Sequence, residues 1–532
     1  MTSVFRYTFY LIILLLSLLS VLIKCIAIND PFLGAHLFRQ LQTLSTIEAY
    51  TLDGIHLLKP RTNYVGYPGY LLLELPIFQV AMTWLSDISS YPPLVCTRIA
   101  NIIIGLLTGG VVFLLSRKFT DRSSAAIAAI VYLFTPLNMM YHWSTLIDPS
   151  AVLFSVTATY SYIQLQHGHR RSYLFLFLFL ATSLLTVVIK PLYYLPVAAL
   201  VPIFLISEYL DNEKKNWALR VKETLRKRIG ILASIALSGI VMTAWLKISS
   251  DYSSAQSVTS HLGWDTLTNP GWYVTILLRY FFYIQTPLGL LLVMILLFHL
   301  PKSKSHRIFI WVFIALPFVY YLTFANINYP HDYYSLILPP YSSFAVGYGC
   351  FVFLNECKSA KNRFILHSLI CAIICMASIF LYLTNYWLSP NVENRYRKIA
   401  KEMLPVLETN EYAWVLTDRN GDFQTNEYLA ESRRDMIQAK LGTLNTEALR
   451  EKTRPVYAPA ILYAMNRQYG EMWWYDKNPP IDQLNSKKEE YEGNLRYVIF
   501  YMATNQKDIV AEMNQGSLIY QSNDFLVFDL KE

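Results

Sequence analysis

The stretch Gly69-Tyr-Leu-Leu-Leu-Glu74-Leu-Pro76-Ile-Phe-Gln79-Val-Ala-Met-Thr-Trp-Leu-Ser86 is apolar enough to suggest a membrane crossing, and its reading decides the topology of everything behind it. A hydrocarbon core of ~30 Å asks for about 20 apolar residues per helix, and Glu74 and Pro76 interrupt this run early. Eleven other runs qualify: 7–26, 94–116, 123–141, 149–166, 171–190, 191–207, 229–247, 284–300, 308–325, 335–354 and 363–385. Lysine and arginine concentrate in cytoplasmic loops, so their distribution arbitrates. Without 69–86 as a crossing, one side collects Arg6, Arg117/Lys118/Arg122, Arg170/Arg171, the block Lys214 to Arg228, Lys302/Lys304/Arg307 and Lys358/Lys361/Arg363. Counting 69–86 as a crossing inverts every later loop and scrambles that pattern. The stretch therefore reads as a juxtamembrane or re-entrant helix in a first outer loop, 27–93. The N-terminus is then cytoplasmic and the C-terminal part extracytoplasmic.

The composition agrees with a bilayer. Of 532 residues, 54% are hydrophobic and 15% charged, against about 25% charged in a soluble domain. Net charge is +8, but residues to 385 hold 27 Lys+Arg against 15 Asp+Glu, and the remainder 18 against 22. The positive balance belongs to the hydrophobic part and its short loops, so no nucleic-acid partner is expected. The six cysteines, Cys25, Cys96, Cys350, Cys357, Cys371 and Cys375, lie in or near apolar segments without zinc or disulfide spacing. The apolar run behind Arg6 lacks a small-x-small cleavage site and reads as an uncleaved first helix.

Residues 271–283 read as an aromatic interfacial helix on the outer surface. From 386 to 532 the apolar runs shrink to strand length, at 412–417, 495–502 and 525–530, with helical patterns at 424–440 and 505–514. The expected architecture is a polytopic α-helical membrane module, 1–385, of about eleven helices, followed by a C-terminal extracytoplasmic α/β domain, 386–532.

Charge near a bilayer is costly and tends to mark function. With the orientation above, Asp30, His36, Arg39, Glu74, Asp148, Lys190, His331 and Asp332 all fall on the outer side. Asp30 and Asp148 arrive there from different spans, as a pair that can divide base and orienting roles. The plain structural reading makes Asp30 a helix-end cap and Asp148, before Pro149, an N-cap. His36 and Arg39 stand three apart, on one helix face, where an arginine fork matches phosphate oxygens. Glu48 or Asp53 would make Arg39 an ordinary ion pair instead. Lys190 before Pro191 is either a snorkelling lysine or a phosphate ligand. His331-Asp332-Tyr333-Tyr334 is either a sugar platform and phosphate clamp or an aromatic-belt anchor.

The ordered set resembles the GT-C superfamily, in particular the protein-mannosyltransferase-like bacterial enzymes (glycosyltransferase family 39, ArnT-like). The residues that carry the likeness are His36-Leu-Phe-Arg-Gln40, Tyr67-Pro-Gly-Tyr-Leu-Leu-Leu-Glu-Leu-Pro-Ile-Phe-Gln79, Arg98, Leu146-Ile-Asp148-Pro149, Lys190-Pro191 and His331-Asp-Tyr-Tyr334. The likeness covers roughly residues 1–385. It departs from the family at Phe38, where Trp is common, at Gln42, where Asp is common, and at Asp30, which is flanked by Asn29 and Pro31.

The resemblance implies a membrane glycosyltransferase, hexosyl or pentosyl, that takes a polyprenyl-phosphate-linked sugar on the non-cytoplasmic face. A glycan, lipid or protein hydroxyl would be the acceptor, and the reaction an inverting displacement. It implies catalytic roles for Asp30 and Asp148, with Glu74 as substitute base. His36, Arg39, Lys190, His331, Asp332, Tyr333 and Tyr334 would surround the sugar and lipid phosphate. No cofactor is required, although the carboxylates are available to a divalent ion. Cysteine-poor outer parts favour a bacterial inner membrane. The alternatives are a transporter or flippase, expected to carry mid-membrane charge and pseudo-symmetric halves, and an O-antigen ligase or polymerase-like enzyme.

Overall fold

The computed structural model describes residues 3–26, 28–29, 36–62, 70–166, 172–200, 217–252, 265–300, 304–329, 331–355, 357, 359–383, 398–407, 411–418, 470–475, 479–491, 494–501, 506–513, 515–522 and 525–531. Asp30, Pro330, Tyr67 to Gly69 and the helix expected over 424–440 lie outside the described residues. The chain divides into two compact units. The first comprises Met1–Ile28, Arg98–Asp251 and Gln256–Tyr382; the second comprises Asn29–Thr97, Tyr252–Ala255 and Leu383–Glu532.

The first unit is helical. Among the described residues, four helices are long and apolar enough to cross a membrane: Tyr7–Cys25, Pro93–Ser116, Arg228–Ile248 and Lys361–Tyr382. The helices Pro270–Gln285 and Pro287–Phe298 pass the same test together but bend by 90° at their break. Arg122–Phe134, Tyr173–Ile189, Pro191–Leu200 and Arg307–Thr323 are apolar and shorter. The helices are named in chain order as α1 (Ser3–Cys25), α2 (Leu37–Asp53), α3 (Ile77–Ser89), α4 (Pro93–Ser116), α5 (Arg122–Phe134), α6 (Pro136–Tyr141), α7 (Asp148–Gln166) and α8 (Ser172–Ile189). Later helices are given by range.

Proline explains where the helices differ from the continuous runs of the sequence. Proline lacks the N–H that an upstream carbonyl needs and pushes the residue before it out of the helical region. The span expected at 123–141 is therefore two helices, broken at Thr135 before Pro136. The break orphans the Tyr132 and Leu133 carbonyls, which find side chains instead. Asn138 Nδ2 donates to Tyr132 O at 2.6 Å, and Lys24 Nζ donates to Leu133 O at 3.4 Å and to Ser20 Oγ at 2.9 Å. Pro191 likewise opens a 3-10 turn, Pro191–Tyr194, behind α8. The span expected at 335–354 begins as a 3-10 turn, Asp332–Ile337, and becomes α-helical at Pro339.

The surface helix expected at 271–283 is the first arm of the bent pair. It is α-helical over Pro270–Leu278 and π-helical over Arg279–Gln285. Thr286, before Pro287, takes φ 61°, an unusual conformation for a β-branched residue.

Small residues set the closest approaches. Helix Pro339–Asn355 carries Gly347 and Gly349. A Cβ at Gly347 would meet Ala128 Cβ at 2.6 Å, and one at Gly349 would overlap the Leu292 carbonyl. Backbones pack this closely between membrane helices where side chains are missing. Gly349→Ala is expected to cost about 1–3 kcal/mol of stability, the usual range for overpacking. The thermal midpoint of purified protein in detergent checks it, and an unchanged midpoint would contradict the packing.

In the second unit, α3 has 13 residues, about 20 Å at 1.5 Å per residue, too short to cross a bilayer. Leu71 to Pro76 precede it without helix, and an isolated antiparallel bridge pairs Arg61 with Tyr70. The C-terminal residues of this unit form five strands, β1 Tyr412–Asp418, β2 Gly470–Tyr475, β3 Leu495–Tyr501, β4 Ser517–Gln521 and β5 Phe525–Asp529. They make one sheet in the order β2-β1-β3-β5-β4. β1 runs parallel to β2 and β3, while β5 is antiparallel to β3 and β4. All of β5 and nearly all of β3 are buried. That explains why these strands read as continuous apolar runs rather than alternating ones. Trp414, Leu416, Tyr491, Phe500 and Phe528 are among the residues of its core. Arg496 links the strand ends through Asp529 at 3.0 Å and Glu411 at 3.5 Å.

Candidate active site

In the first unit, Asp148 is fully buried at the first residue of α7. The loop before it is held by Asn101 of α4, whose Nδ2 donates to Ser144 O at 2.8 Å and Leu146 O at 2.7 Å. The capping reading of Asp148 does not describe its contacts. Oδ1 accepts from Tyr193 Oη at 2.7 Å and pairs with Lys190 Nζ at 3.2 Å, while Oδ2 has no hydrogen-bond partner among the described residues. A buried carboxylate oxygen without a donor is costly, and such groups tend to be kept where chemistry uses them.

Lys190 does not snorkel. It is buried, facing Asp148, and its ammonium lies 4.2 Å from the Tyr334 ring centroid and 5.3 Å from that of Tyr333. Cation–π attraction of this kind strengthens when water is excluded.

The 331–334 segment joins the same cluster. His331 lies 5.5 Å from the Tyr333 ring and 6.1 Å from the Tyr334 ring, centroid to centroid. Asp332 is buried and accepts a hydrogen bond from Tyr141. Three further groups clasp the backbone and side chains around it. Tyr193 Oη lies 2.9 Å from Tyr333 O, Tyr320 donates to Tyr334 O at 2.8 Å, and Tyr321 donates to Ser335 Oγ at 3.0 Å. Arg279, buried in the π-helical turn, donates to Asn328 O and, at 3.2 Å, to Tyr329 O. Asp332 and Tyr333 are buried while His331 and Tyr334 are half-buried, so of the expected platform His331 and Tyr334 keep an open part.

In the second unit, His36 is the residue before α2, in the left-handed region at φ 53°, where histidine is among the better tolerated residues. Arg39 Nη2 lies 2.7 Å from both oxygens of Glu74, and its Nη1 donates to Gln42. Gln79 Nε2 reaches Glu74 at 3.4 Å. The two halves of the outer-loop motif, 35 residues apart, thus close on one another and line a cleft with Thr43, Thr46 and Leu73. Asp53 pairs with Arg61 at 3.0 Å.

The geometry thus gathers Asp148, Lys190, His331, Asp332, Tyr333 and Tyr334 within one unit, and His36, Arg39 and Glu74 within the other. Tyr193, Tyr141, Asn101 and Arg279 escaped the sequence reading. Tyr193 had a signal, because it stands three residues after Lys190 across a proline-led turn. The remaining three had none.

Residues 81–221, which carry Asp148 and Lys190, match the family described as dolichyl-phosphate-mannose-protein mannosyltransferase. No curated protein sequence matches the chain. Among solved structures, ArnT from Cupriavidus metallidurans bound to undecaprenyl phosphate is similar at TM-score 0.53 and 10% identity, covering 100% of this chain and 98% of that one. The oligosaccharyltransferase of Archaeoglobus fulgidus in the apo form is similar at TM-score 0.52 and 13% identity, covering 93% of this chain and 70% of that one. The shared feature at such identities is the fold. Several apolar helices fit a multi-pass membrane protein; residues 81–221 match the mannosyltransferase family, and the chain shares the fold of these two glycosyl-transferring enzymes.

Proposed function

We propose that the chain transfers a sugar from a polyprenyl-phosphate donor to an acceptor hydroxyl on the non-cytoplasmic face of a bacterial inner membrane, with the N-terminus cytoplasmic. The observation that carries this reading is the buried Asp148–Lys190 pair beside Tyr334, with one carboxylate oxygen unpartnered among the described residues. The ArnT relative holds undecaprenyl phosphate, which is consistent with this donor class.

The step is a single displacement. The acceptor oxygen attacks the anomeric carbon, the bond from that carbon to the phosphate oxygen breaks, and the anomeric configuration inverts. The hydroxyl proton passes to Asp148, and polyprenyl phosphate leaves with its tail in the bilayer. Asp30 is the alternative base. Glu74 is less suited, since both its oxygens are engaged by Arg39. Positive charge matters because negative charge grows on the departing phosphate, and fixed cations stabilise it without reorganising. Lys190 and His331 supply it. The acceptor is a glycan, lipid or protein.

A divalent ion remains compatible with the chemistry. The donor set at Asp148 does not favour one, because Lys190 and Tyr193 already occupy Oδ1.

The test is a panel of synthetic polyprenyl-phosphate hexoses and pentoses, offered to the full chain in proteoliposomes with envelope extract as acceptor. At least one donor is expected to release polyprenyl phosphate with sugar appearing in the extract. Donors that are moved across the bilayer intact, or not turned over at all, would remove the transferase reading.

A further inference from the structure

Within the proposed reaction Asp148 must present an oxygen in a fixed direction, and its surroundings show what fixes it. Lys190 and Tyr193 lie on either side of a turn that Pro191 opens, with Tyr193 N donating to Lys190 O at 2.9 Å. The turn brings both residues to one place, and the Lys190 ammonium and the Tyr193 hydroxyl reach the same carboxylate oxygen, at 3.2 and 2.7 Å. Two anchors on Oδ1 hold the carboxylate plane and leave Oδ2 as the oxygen without a partner among the described residues.

Tyr193 does a second thing. Its Oη is also 2.9 Å from Tyr333 O, and one hydroxyl hydrogen is shared between the two acceptors. The carboxylate from α7 is therefore tied to the backbone of the segment that carries His331 and Tyr334. Tyr193 is fully buried, so water does not substitute for the hydroxyl.

We infer that Tyr193 is a positioning residue: it joins Asp148 Oδ1 to the Tyr333 carbonyl and so aims Oδ2 at the acceptor hydroxyl. The inference rests on the transferase reading above and deepens it. Tyr193 makes no contact with the reacting atoms in this account, and it acts through Asp148. Its backbone carbonyl, held by Ser155 Oγ at 2.7 Å, keeps the turn in place when only the hydroxyl is removed.

The experiment uses Tyr193→Phe in the full chain, reconstituted in proteoliposomes with the donor of the panel that turns over fastest. Because small misplacement of a reacting group costs up to about a hundredfold, kcat per folded molecule is expected to fall roughly 10- to 100-fold. KM for the donor should stay within about twofold, since the lysine that faces the phosphate is untouched. A second arm places Tyr193→Phe in an Asp148→Glu background, where the carboxylate is already displaced. If Tyr193 acts through Asp148, its removal there changes kcat by less than about twofold, as expected of coupled sites. A merely structural role predicts a lowered thermal midpoint with kcat per folded molecule unchanged, or an equal loss in both backgrounds, and either result overturns the inference. If no donor turns over in the wild type, the transferase reading fails and this inference fails with it. If donors turn over and Tyr193→Phe matches the wild type in kcat, only the inference fails.

Discussion

Asp148→Asn is expected to lower turnover of the polyprenyl-phosphate donor by about 10²- to 10⁴-fold, the range a positioned general base contributes. Asparagine keeps the shape of the side chain and can still accept from Tyr193, so the change removes charge and basicity with little repacking. Donor binding should change much less than kcat, because the proton is abstracted only in the transition state. Measured release of polyprenyl phosphate by purified variant and wild type decides the matter. Rates within threefold of each other would take Asp148 out of catalysis and leave Asp30 as the base to test.

The second large effect concerns stability. Lys190 and Asp148 face each other at 3.2 Å with side chains 8% and 0% exposed. Removing one partner of a buried pair leaves the other charge uncompensated, at a cost of about 3–5 kcal/mol. Lys190→Met is therefore expected to lower the unfolding free energy by that order, read as a clear drop in thermal midpoint. The cost should disappear when the orphaned charge is removed as well. The double variant Asp148→Asn/Lys190→Met is expected to recover most of the midpoint while remaining inactive. Recovery without activity would separate the structural work of the pair from its chemical work. A double variant no more stable than Lys190→Met alone would show that the ion pair is not what Lys190 contributes.

Much of the site was legible because charge is conspicuous against an apolar background. Asp148, Lys190, His331 and Asp332 stood out for that reason, as did Arg39 and Glu74. The partners were less legible. Tyr193 and Tyr141 are two of 39 tyrosines in a chain rich in aromatic residues, and an aromatic near a membrane reads first as an anchor. Their hydroxyls acquire meaning only when a carboxylate lies within hydrogen-bond distance. Arg279 was hidden differently, inside a run that read as an interfacial helix and whose end, Arg279–Gln285, is a π-helical turn before a sharp bend. The pairing of Arg39 with Glu74 likewise rests on contact between residues 35 apart, where Glu48 and Asp53 were nearer in sequence.

The stretch 69–86 separates the two kinds of information. Its interruption by Glu74 and Pro76, and the loop charges that follow, kept it out of the count of crossings, and the helix that forms within it, α3, has 13 residues. Composition, hydrophobic run length and the placement of lysine and arginine are one-dimensional properties, and solvent partitioning acts on them directly. They determined that the chain is a polytopic membrane protein, and its ordered motifs pointed to the GT-C superfamily. Tertiary structure decided where prolines break the runs, that Glu74 answers Arg39, and that Tyr193 and Lys190 share one oxygen of Asp148. Those outcomes depend on distances of about 3 Å between segments far apart in the chain, because hydrogen bonds and buried ion pairs have energies that fall steeply with distance and angle. Sequence spacing carries no information at that resolution.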